Sequence, residues 1–424
     1  MATTKDYRLG EFTFPRGWFM IADAEELNTH KPLAVRFFGK DFALYRGRET
    51  GKVVLLDAYC PHMKTHLAAP NNTSYVVVDG GGSNVEGDGI RCPYHAWRFG
   101  PDGKCDHIPY HEGPIPASAN VKSWTVVESL GAIWVWHDPE GGEPEWDHPS
   151  LPQWDDPAWV RWKFDHLGLL NQHPQEVIDN ICDYGHLSPI HGSTVEKYEN
   201  EFKGHNAIQR QCGPHRTLVG PDGVSPILHT LTVYHGPGVL ISHLTGLYDA
   251  VMMITHTPVD DGTIKVWHAL LVRSPGGNET ATQTDTIAAR QFQQAALTAF
   301  AQDFEVWTNK GPCLNGLFIP SDGPFMKARI WYKQFYNPRA MKQEFLDQCE
   351  GYYVPKGAVP YTDKEEVAKI ASKVGESKTY AEFVIEASDE TRNKCVFEIK
   401  PREIEEPEVG VAMPEGIEEA DDLE

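Results

Sequence analysis

Two short stretches of this chain each place a sulfur ligand close to an imidazole ligand. Cys60 and His62 lie two positions apart, Cys92 and His95 lie three apart, and a proline follows each cysteine. Thiolate and imidazole are donors that transition-metal ions readily accept in proteins. Two such loops can together present two sulfurs and two nitrogens. We therefore expect a metal centre where the two loops meet.

This donor set satisfies a Rieske [2Fe–2S] centre, in which two cysteines bind one iron and two histidines bind the other. A Cys2His2 zinc site uses the same atoms, but zinc fingers usually pair cysteine with cysteine and histidine with histidine. Here each stretch is mixed, and the residues after Cys92 are typical of a turn that leads into strands. We favour the iron–sulfur interpretation. A zinc site, or four unrelated loop residues, are the alternatives.

A second pattern suited to a metal contains His186 and His191, with Asp183 three residues before the first histidine. Five residues of an ideal helix turn through roughly 500°, so the two imidazoles would diverge by about 140°. They converge only if the helix ends or bends between them. Pro189 gives a reason for this, because proline disfavours helical geometry at the preceding residue.

Two imidazoles and one carboxylate on one face of an iron form the ligand set of non-haem Fe(II) oxygenases, with open positions for O2 and substrate. The carboxylate must come from elsewhere in the chain. Our choice is Asp303, on the predicted inner face of a long helix, and Asp285, Asp322 and Asp183 are the competitors. We interpret most of the other histidines as packing or surface residues.

The elements that must hold these ligands differ between the two parts of the chain. From Gly17 to about His137, short runs rich in β-branched and aromatic residues alternate with Gly, Asp and Asn, which predicts a small antiparallel β domain. The predicted strands include 33–38, 42–45, 53–56, 75–78, 124–128 and 132–136. A stretch rich in Pro, Gly and acids at 137–156 is typical of a linker.

The second part predicts helices at 172–186 and 280–310 and four strands at 227–234, 239–244, 250–256 and 264–272. Ile287, Phe292, Ala295, Ala296, Ala299, Phe300 and Phe304 are the expected inner positions of the long helix. A sheet wrapped around a long helix is an α+β arrangement with room for a pocket. We therefore predict domains at 1–140 and 141–400 and an acidic tail at 401–424.

Composition narrows the function classes. The formal net charge is −22, so nucleic acid is an unexpected partner. Ten acidic residues and no Lys or Arg lie in 403–424, which is typical of a solvated tail. We predict no membrane span, because no apolar run is long enough, and no signal peptide. The eight cysteines are scattered, which argues against a disulfide framework and favours the cytoplasm.

The two sites in this order resemble the oxygenase component of Rieske non-haem iron oxygenases, over about 15 to the 390s. Within that family, the sequences at 92–105, 302–307 and 331–339 are most similar to 3-ketosteroid 9α-hydroxylases and related steroid-acting enzymes. The resemblance implies a Rieske domain followed by a helix-grip catalytic domain. It also implies Cys60, His62, Cys92 and His95 as [2Fe–2S] ligands.

The same resemblance implies a head-to-tail homotrimer, in which the cluster of one subunit serves the mononuclear Fe(II) of the next. Asp183 would then be the catalytic bridge between His95 of one chain and His186 of its neighbour, and it would fix the tautomer of His186. A separate NAD(P)H-dependent flavin and iron–sulfur reductase, or a ferredoxin, would supply electrons. No trustworthy dinucleotide-binding signature is present in this chain.

The substrate implied is a small hydrophobic polycyclic molecule, most simply a steroid, whose C–H bond is hydroxylated with O2. The alternatives are an aromatic-ring dioxygenase, an O-demethylase and, from another class, a Rieske electron carrier. One departure from the family pattern is the long polar, Gly-rich segment between His62 and Cys92. We interpret it as an extra hairpin or loop beside the cluster.

Overall fold

The computed structural model describes residues 2–27, 30–69, 73–215, 225–246 and 248–361. The acidic tail, Cys395 and the last part of the predicted second domain lie outside the described residues. The seven described cysteines are all free thiols, as expected from their scattered positions. The fold class predicted from the sequence is confirmed, with a β-rich first part and a sheet packed on a long helix in the second part.

The described residues of the first part form eleven strands, in three separate antiparallel sheets of order β1-β11-β10, β2-β3-β4-β9 and β5-β6-β7-β8. The strands are β1 (Gly17–Asp23), β2 (Leu33–Phe37), β3 (Lys40–Arg46), β4 (Val53–Asp57), β5 (Val85–Glu86), β6 (Gly89–Arg91), β7 (Arg98–Phe99), β8 (Cys105–His107), β9 (Ser123–Trp124), β10 (Val126–Ser129) and β11 (Ala132–His137). One cysteine–histidine loop follows β4, and the other connects β6 to β7. Short strands thus fix both ends of the second loop and the start of the first.

The predicted strand at 75–78 is wrong, because these residues form the short helix α1 (Tyr75–Asp79). β-branched residues favour strands only where a neighbouring strand can pair with them. Here the backbone N–H groups of Val77 and Val78 donate instead to the carbonyl of Ser74, at 2.9 Å each. Tyr75 remains 81% exposed. A few residues later in the same segment, β5 and β6 pair as an antiparallel hairpin.

The second part is built on one nine-stranded sheet, whose main path runs β12-β19-β18-β17-β16-β15-β14-β20, with β13 also paired to β19. The strands are β12 (Trp159–Val160), β13 (Asp165–Leu170), β14 (Lys197–Lys203), β15 (Asn206–Pro214), β16 (Ile227–His235), β17 (Val239–Thr245), β18 (Ala250–Asp260), β19 (Thr263–Arg273) and β20 (Gly351–Tyr353). The four strands predicted from 227 to 272 are present. They pair antiparallel with their chain neighbours, as expected.

The helices are α2 (Pro174–Ile178), α3 (Gln283–Thr308), α4 (Phe325–Lys333) and α5 (Lys342–Cys349). The long helix α3 begins at the capping residue Thr282, whose hydroxyl accepts the N–H of Asp285. Phe300 is buried as predicted, but Ile287 is 55% exposed. The early turns of α3 bury Asp285 and Ala289 instead. Ile287 lies two residues, or about 200°, away from either of them around the helix.

The helix predicted at 172–186 is much shorter than expected. It consists of α2 and a 3-10 turn at Asp179–Cys182, and turns follow it to Gly192. His173 caps α2, because its Nδ1 accepts the N–H of Gln175 at 3.1 Å. The early end of this helix leaves the chain from Asp183 onward free to curve.

Residues 2–16, called the N-terminal strap below, lie against the end of the second part of the chain. Asn337 Nδ2 donates to the carbonyl of Leu9 at 2.9 Å. The buried Arg16 guanidinium donates to the carbonyls of Gln334 and Asn337, at 3.1 Å each. Arg16 also pairs with acids of the predicted linker, Glu140 and Glu145. The linker is therefore a well-anchored segment.

Candidate metal centres

The two cysteine–histidine loops share one backbone conformation. In each, the N–H of the residue four positions after the cysteine, Lys64 or Ala96, donates to the cysteine carbonyl, at 2.9 and 3.0 Å. The cysteine N–H in turn donates to the carbonyl one residue further on, at 3.0 and 2.8 Å. Lys64 and Ala96 both have positive φ, 56° and 58°. The same turn thus presents a thiol and an imidazole twice, although the sequence spacings differ.

The sulfur side of the candidate cluster site is buried and the histidine side faces outward. Cys60 and Cys92 are both buried, whereas His62 is exposed and His95 is half-buried. The two thiols share one hydrogen bond, which lowers the pKa of Cys92 and raises that of Cys60, and the backbone N–H groups of Tyr94 and His95 also lower the pKa of Cys92. A thiolate is the form that binds iron. The loops therefore fit a [2Fe–2S] cluster whose histidine-bound iron lies nearest the surface.

Two further residues hold this site, and the sequence patterns did not single them out. The Trp97 ring stacks on His62 with 4.7 Å between centroids and an interplanar angle of 4°. Asn84 Nδ2 donates to the carbonyls of Leu67 and Arg91, at 2.7 and 2.5 Å, and so ties the two loops together. Asn84 lies within the long inserted segment. Its effect depends on contacts distant in sequence, so motif spacing gave no signal for it.

The second candidate site brings together three of the predicted residues. One ligand atom each from His186, His191 and Asp303 lies within 4.8 Å of the others. His191 Nε2 is 3.3 Å from Asp303 Oδ2. Two of the competing carboxylates are engaged elsewhere, Asp285 with the N–H of Thr282 and Asp322 with the N–H of Ile319. Asp303 comes from the buried face of α3, and the histidines come from the turns that follow α2.

The shortened helix explains how two histidines five residues apart can converge. Helical geometry ends at Cys182, before the first of them. A turn then forms, in which the N–H of Ile190 donates to the carbonyl of His186 at 2.9 Å. Pro189 lies within this turn, as expected, although the helix ends earlier than the position of Pro189 suggested.

Hydrogen bonds select one nitrogen of each imidazole. His186 Nδ1 donates to the backbone carbonyl of Asp183 at 2.5 Å, and His191 Nδ1 lies 3.3 Å from Gln302 Oε1. Ligand histidines usually donate their second N–H in this way, which leaves the other nitrogen for the metal. The Asp183 carboxylate is 3.7 Å from His186 Nδ1. We expected that carboxylate to fix the tautomer, but the shorter contact is made by the Asp183 carbonyl.

The site has the charge balance that a divalent cation requires. Burial lowers the pKa of His191, but the adjacent Asp303 carboxylate outweighs burial and raises it overall. A half-buried imidazole therefore already lies against a carboxylate at this point. Two neutral imidazoles and one carboxylate fit Fe(II) with open positions.

Comparison with known proteins identifies the family. The Rieske [2Fe–2S] domain family matches residues 17–125, and the 3-ketosteroid 9α-hydroxylase C-terminal domain family matches residues 135–336. A 3-ketosteroid-9-alpha-monooxygenase oxygenase component from Rhodococcus rhodochrous is 30% identical, over 79% of this chain and 87% of the relative. The chain belongs to this family of Rieske oxygenases. The resemblance inferred from the motifs is thus confirmed.

Other relatives and solved structures agree with this assignment. A 3-ketosteroid-9-alpha-monooxygenase oxygenase component from Mycolicibacterium smegmatis is 31% identical, over 76% of this chain and 82% of the relative. A cholesterol 7-desaturase from Ciona intestinalis is 29% identical, over 76% of this chain and 72% of the relative. The structure of Pseudomonas putida CBB5 NdmA with caffeine has the same fold, with a TM-score of 0.57 and 18% identity, over 83% of this chain and 97% of that one.

Family membership decides between the readings of the first site. A Rieske domain carries a [2Fe–2S] cluster, so the zinc interpretation is set aside. The Rieske oxygenase is an oxidoreductase with a cluster and a mononuclear iron, and as an oxygenase component it receives electrons from a separate protein. Among the described residues, no helix combines the length and apolar character needed to cross a bilayer.

A cavity of about 440 Å³ in the oxygenase opens beside the second site. His186, His191 and Asp303 lie on its wall, together with residues of α2, α3 and the strands β15 to β18. Ala295, Ala296 and Ala299 form much of the helix side, so small side chains leave the space. The cavity is therefore large enough for a polycyclic ligand next to the three converging side chains.

Buried ion pairs hold the segment that carries these histidines. Asp179, at the end of α2, pairs with Arg329 of α4. Glu176 accepts hydrogen bonds from Tyr7 of the N-terminal strap and from Lys310 after α3, and also from the N–H of Cys313 at 2.7 Å. Buried acids need such partners. The start of the histidine segment is thus fixed to three other elements.

Proposed function

We propose that this Rieske oxygenase is the terminal component of a steroid hydroxylase, which inserts oxygen from O2 into a C–H bond of a polycyclic steroid. The observation that carries the proposal is the convergence of His186, His191 and Asp303 on the wall of a largely apolar cavity. Family membership supplies the steroid class, since the relatives are named for 3-ketosteroids and cholesterol.

In this proposal Cys60, Cys92, His62 and His95 hold the [2Fe–2S] cluster. The buried thiols and the outward imidazoles support this assignment. His186, His191 and Asp303 hold the mononuclear Fe(II). When bound, the cluster supplies single electrons and the mononuclear iron supplies O2 activation.

The protein contributes orientation and water exclusion around these groups. The Asp183 carbonyl and Gln302 hold the two histidines in the tautomers that keep the remaining nitrogen unprotonated. α3 carries Asp303 on its buried face, so the carboxylate is supported by packing. The apolar walls desolvate the substrate and hold one C–H bond near the site, which lowers the entropic part of the barrier.

The assembly we propose is a head-to-tail homotrimer, in which Asp183 connects His186 to His95 of the partner subunit. Asp183 supports this role because its side chain is 36% exposed while its Oδ1 accepts the N–H of His186 at 3.2 Å. It is thus bound to one ligand and open to another molecule. The electron donor is an NAD(P)H-dependent flavin and iron–sulfur reductase or a ferredoxin, and the compartment is the cytoplasm.

A single-turnover experiment tests the proposed activity without knowledge of the reductase. The iron-loaded protein is reduced chemically, mixed with androst-4-ene-3,17-dione and exposed to ¹⁸O2. We expect a monohydroxylated steroid that contains one labelled oxygen, together with bleaching and recovery of the cluster spectrum. A cluster that reoxidises without any product from a panel of steroids would overturn the steroid assignment.

A further inference from the structure

The sheet side of the cavity carries hydroxyl groups within a mostly apolar lining. Thr232 and Tyr234 lie two residues apart on β16, so they face the same side of the sheet. Ser242 is directly opposite Thr232 on β17. All three line the cavity, and all three are at least nine-tenths buried, with exposures of 7%, 1% and 0%. Buried hydroxyls need partners, so each proton has to be accounted for.

Thr232 and Ser242 hydrogen-bond to each other, with 2.7 Å between their hydroxyl oxygens. Each hydroxyl has one proton, and their mutual hydrogen bond uses only one of the two. No further hydrogen bond of either hydroxyl is found among the described residues. Whichever residue donates to the other, the pair therefore keeps one proton for an acceptor inside the cavity.

Tyr234 also presents a proton, because of the residue behind it. Its hydroxyl is 3.2 Å from His256 Nε2. His256 Nδ1 is buried and has no partner in the described part of the chain. Burial lowers the pKa of His256 to about 3, so the ring is neutral. An orphaned buried N–H is rarer than an orphaned acceptor. We therefore assign the proton to Nε2, which donates to Tyr234 and leaves the tyrosine proton for the cavity.

We propose that Thr232, Ser242 and Tyr234 form a donor subsite that binds a carbonyl oxygen of the substrate. The inference rests on the proposed function and deepens it, since it names the groups that select an oxygenated steroid over a hydrocarbon. When buried donors have no partner in the protein, a ligand without an acceptor leaves them unpaired. Such a site therefore discriminates strongly against that ligand. Leu244 and Met252, which flank Ser242 on the sheet, are apolar and suit the hydrocarbon next to that carbonyl.

The test measures dissociation constants of the anaerobic, iron-loaded protein for 5α-androstane-3,17-dione and for the two ketones that lack one of its carbonyls. Thr232→Val and Ser242→Ala each leave one free proton, so each single variant should bind the diketone almost as well as the wild type. The double variant should lose roughly five- to tenfold, the worth of one hydrogen bond. Thr298→Val is the matched control, since that cavity hydroxyl already donates to the Gln294 carbonyl.

Tyr234→Phe should cause a separate loss of similar size. The loss of affinity in the double variant and the loss in Tyr234→Phe should both vanish for the monoketone that lacks the bound carbonyl. Both should persist for the monoketone that retains it. Equal losses for all three ligands, or equal effects of single and double Thr232 and Ser242 variants, would overturn the subsite. If no steroid binds, the steroid proposal fails by itself. Fluorenone and fluorene then test the subsite, which requires a preference for the ketone that the double variant abolishes.

Discussion

At the scale of single residues, the mononuclear site is defined as much by the atoms behind the ligands as by the ligands. His186 is held by a backbone carbonyl, which no substitution removes, whereas His191 relies on the Gln302 side chain. The orientation of His186 is therefore coupled to the backbone turn at Asp183. Any change that relaxes this turn moves a ligand.

Changing His186 to Ala tests whether the two sites are separate. We expect the visible spectrum of the cluster to persist, turnover to cease and the iron content to fall by one ion per chain, because only the mononuclear site loses a donor. Iron analysis and absorption spectra measure this. His111→Ala is the control, since this exposed histidine lies outside both sites. Loss of the cluster spectrum in the His186 variant would contradict the two-site assignment.

Changing Asp183 to Ala tests the proposed bridge. Iron content should stay unchanged, because the Asp183 carbonyl that holds His186 remains after the substitution. Electron transfer from cluster to mononuclear iron should be strongly slowed. Rapid-mixing absorption in a single turnover measures the rate of cluster oxidation. A normal rate would remove Asp183 from the bridging role.

At the scale of elements, the cluster loops depend on a left-handed residue in each turn. Lys64 and Ala96 have positive φ without being glycine. This conformation costs roughly 1 kcal/mol or more for an L-residue and is worst for β-branched side chains. The rest of the loop must compensate for that cost, and sequence spacing does not reveal it.

The conformation at Ala96 gives a prediction for stability. Ala96→Gly should retain the cluster and keep or slightly raise stability, by up to about 1 kcal/mol, because glycine adopts positive φ without strain. Ala96→Val should lower the cluster content and the thermal midpoint, because a branched Cβ clashes in this region. Cluster absorbance per chain and thermal unfolding measure both effects. Equal behaviour of the two variants would show that the turn does not constrain this residue.

The sequence predicted the structure where local patterns determine it. It did not predict the structure where contacts between residues distant in sequence determine it. The long helix and the antiparallel strands of the second part follow from periodicity, and the cluster loops follow from donor types. The strand predicted at 75–78 was wrong because this β-branched run has no neighbouring strand with which it could pair. Asn84, Trp97 and Gln302 were missed because their roles depend on which loops meet in space. The early end of α2 is set by tertiary contacts such as the Asp179–Arg329 ion pair.

At the scale of the whole molecule, one hydrophobic core joins the two parts of the chain. It contains Trp18 and Trp134 from the first part and Trp267 and Trp331 from the second. Several histidines are buried around it. Burial lowers the pKa of His137 to about 4, and the pKa values of His173 and His235 to about 3.

These histidines predict how stability depends on pH. The unfolded chain binds protons at imidazole below about pH 6.5, whereas the folded chain does not until near pH 4. Their contribution is therefore complete above pH 6.5 and is lost as the pH falls from 6.5 towards 4. The free energy of unfolding should fall by up to about 1.4 kcal/mol per pH unit for each histidine.

Urea unfolding at several pH values, followed by tryptophan fluorescence, measures this dependence. His137→Phe should flatten it by the contribution of one histidine, because His137 stacks on Phe38 and a phenyl ring fits that geometry. His111→Phe, at an exposed position, should leave the slope unchanged. The same slope in the His137 variant and the wild type would show that His137 is not the source.

Mixed trimers test the proposed assembly. A subunit with Cys92→Ser lacks the cluster, and a subunit with His186→Ala lacks the mononuclear iron, so each pure protein should be inactive. In co-expressed mixtures, an intact cluster lies beside the intact iron of a neighbour, and we expect partial recovery of activity. Steroid hydroxylation by the tandem-purified hybrid measures it. If the hybrids are as inactive as either parent, the cluster and the mononuclear iron that act together must lie in the same chain.

The N-terminal strap belongs to the first part of the chain in sequence but lies against the last part in space. Arg16 joins it both to the segment at 137–156 and to the residues after α4. If the polypeptide were cut in that segment, the two fragments would therefore still be held together by the contacts of the strap. Such a crossing makes the oxygenase a natural candidate for a split protein, in which two separately made fragments reassemble around a shared core.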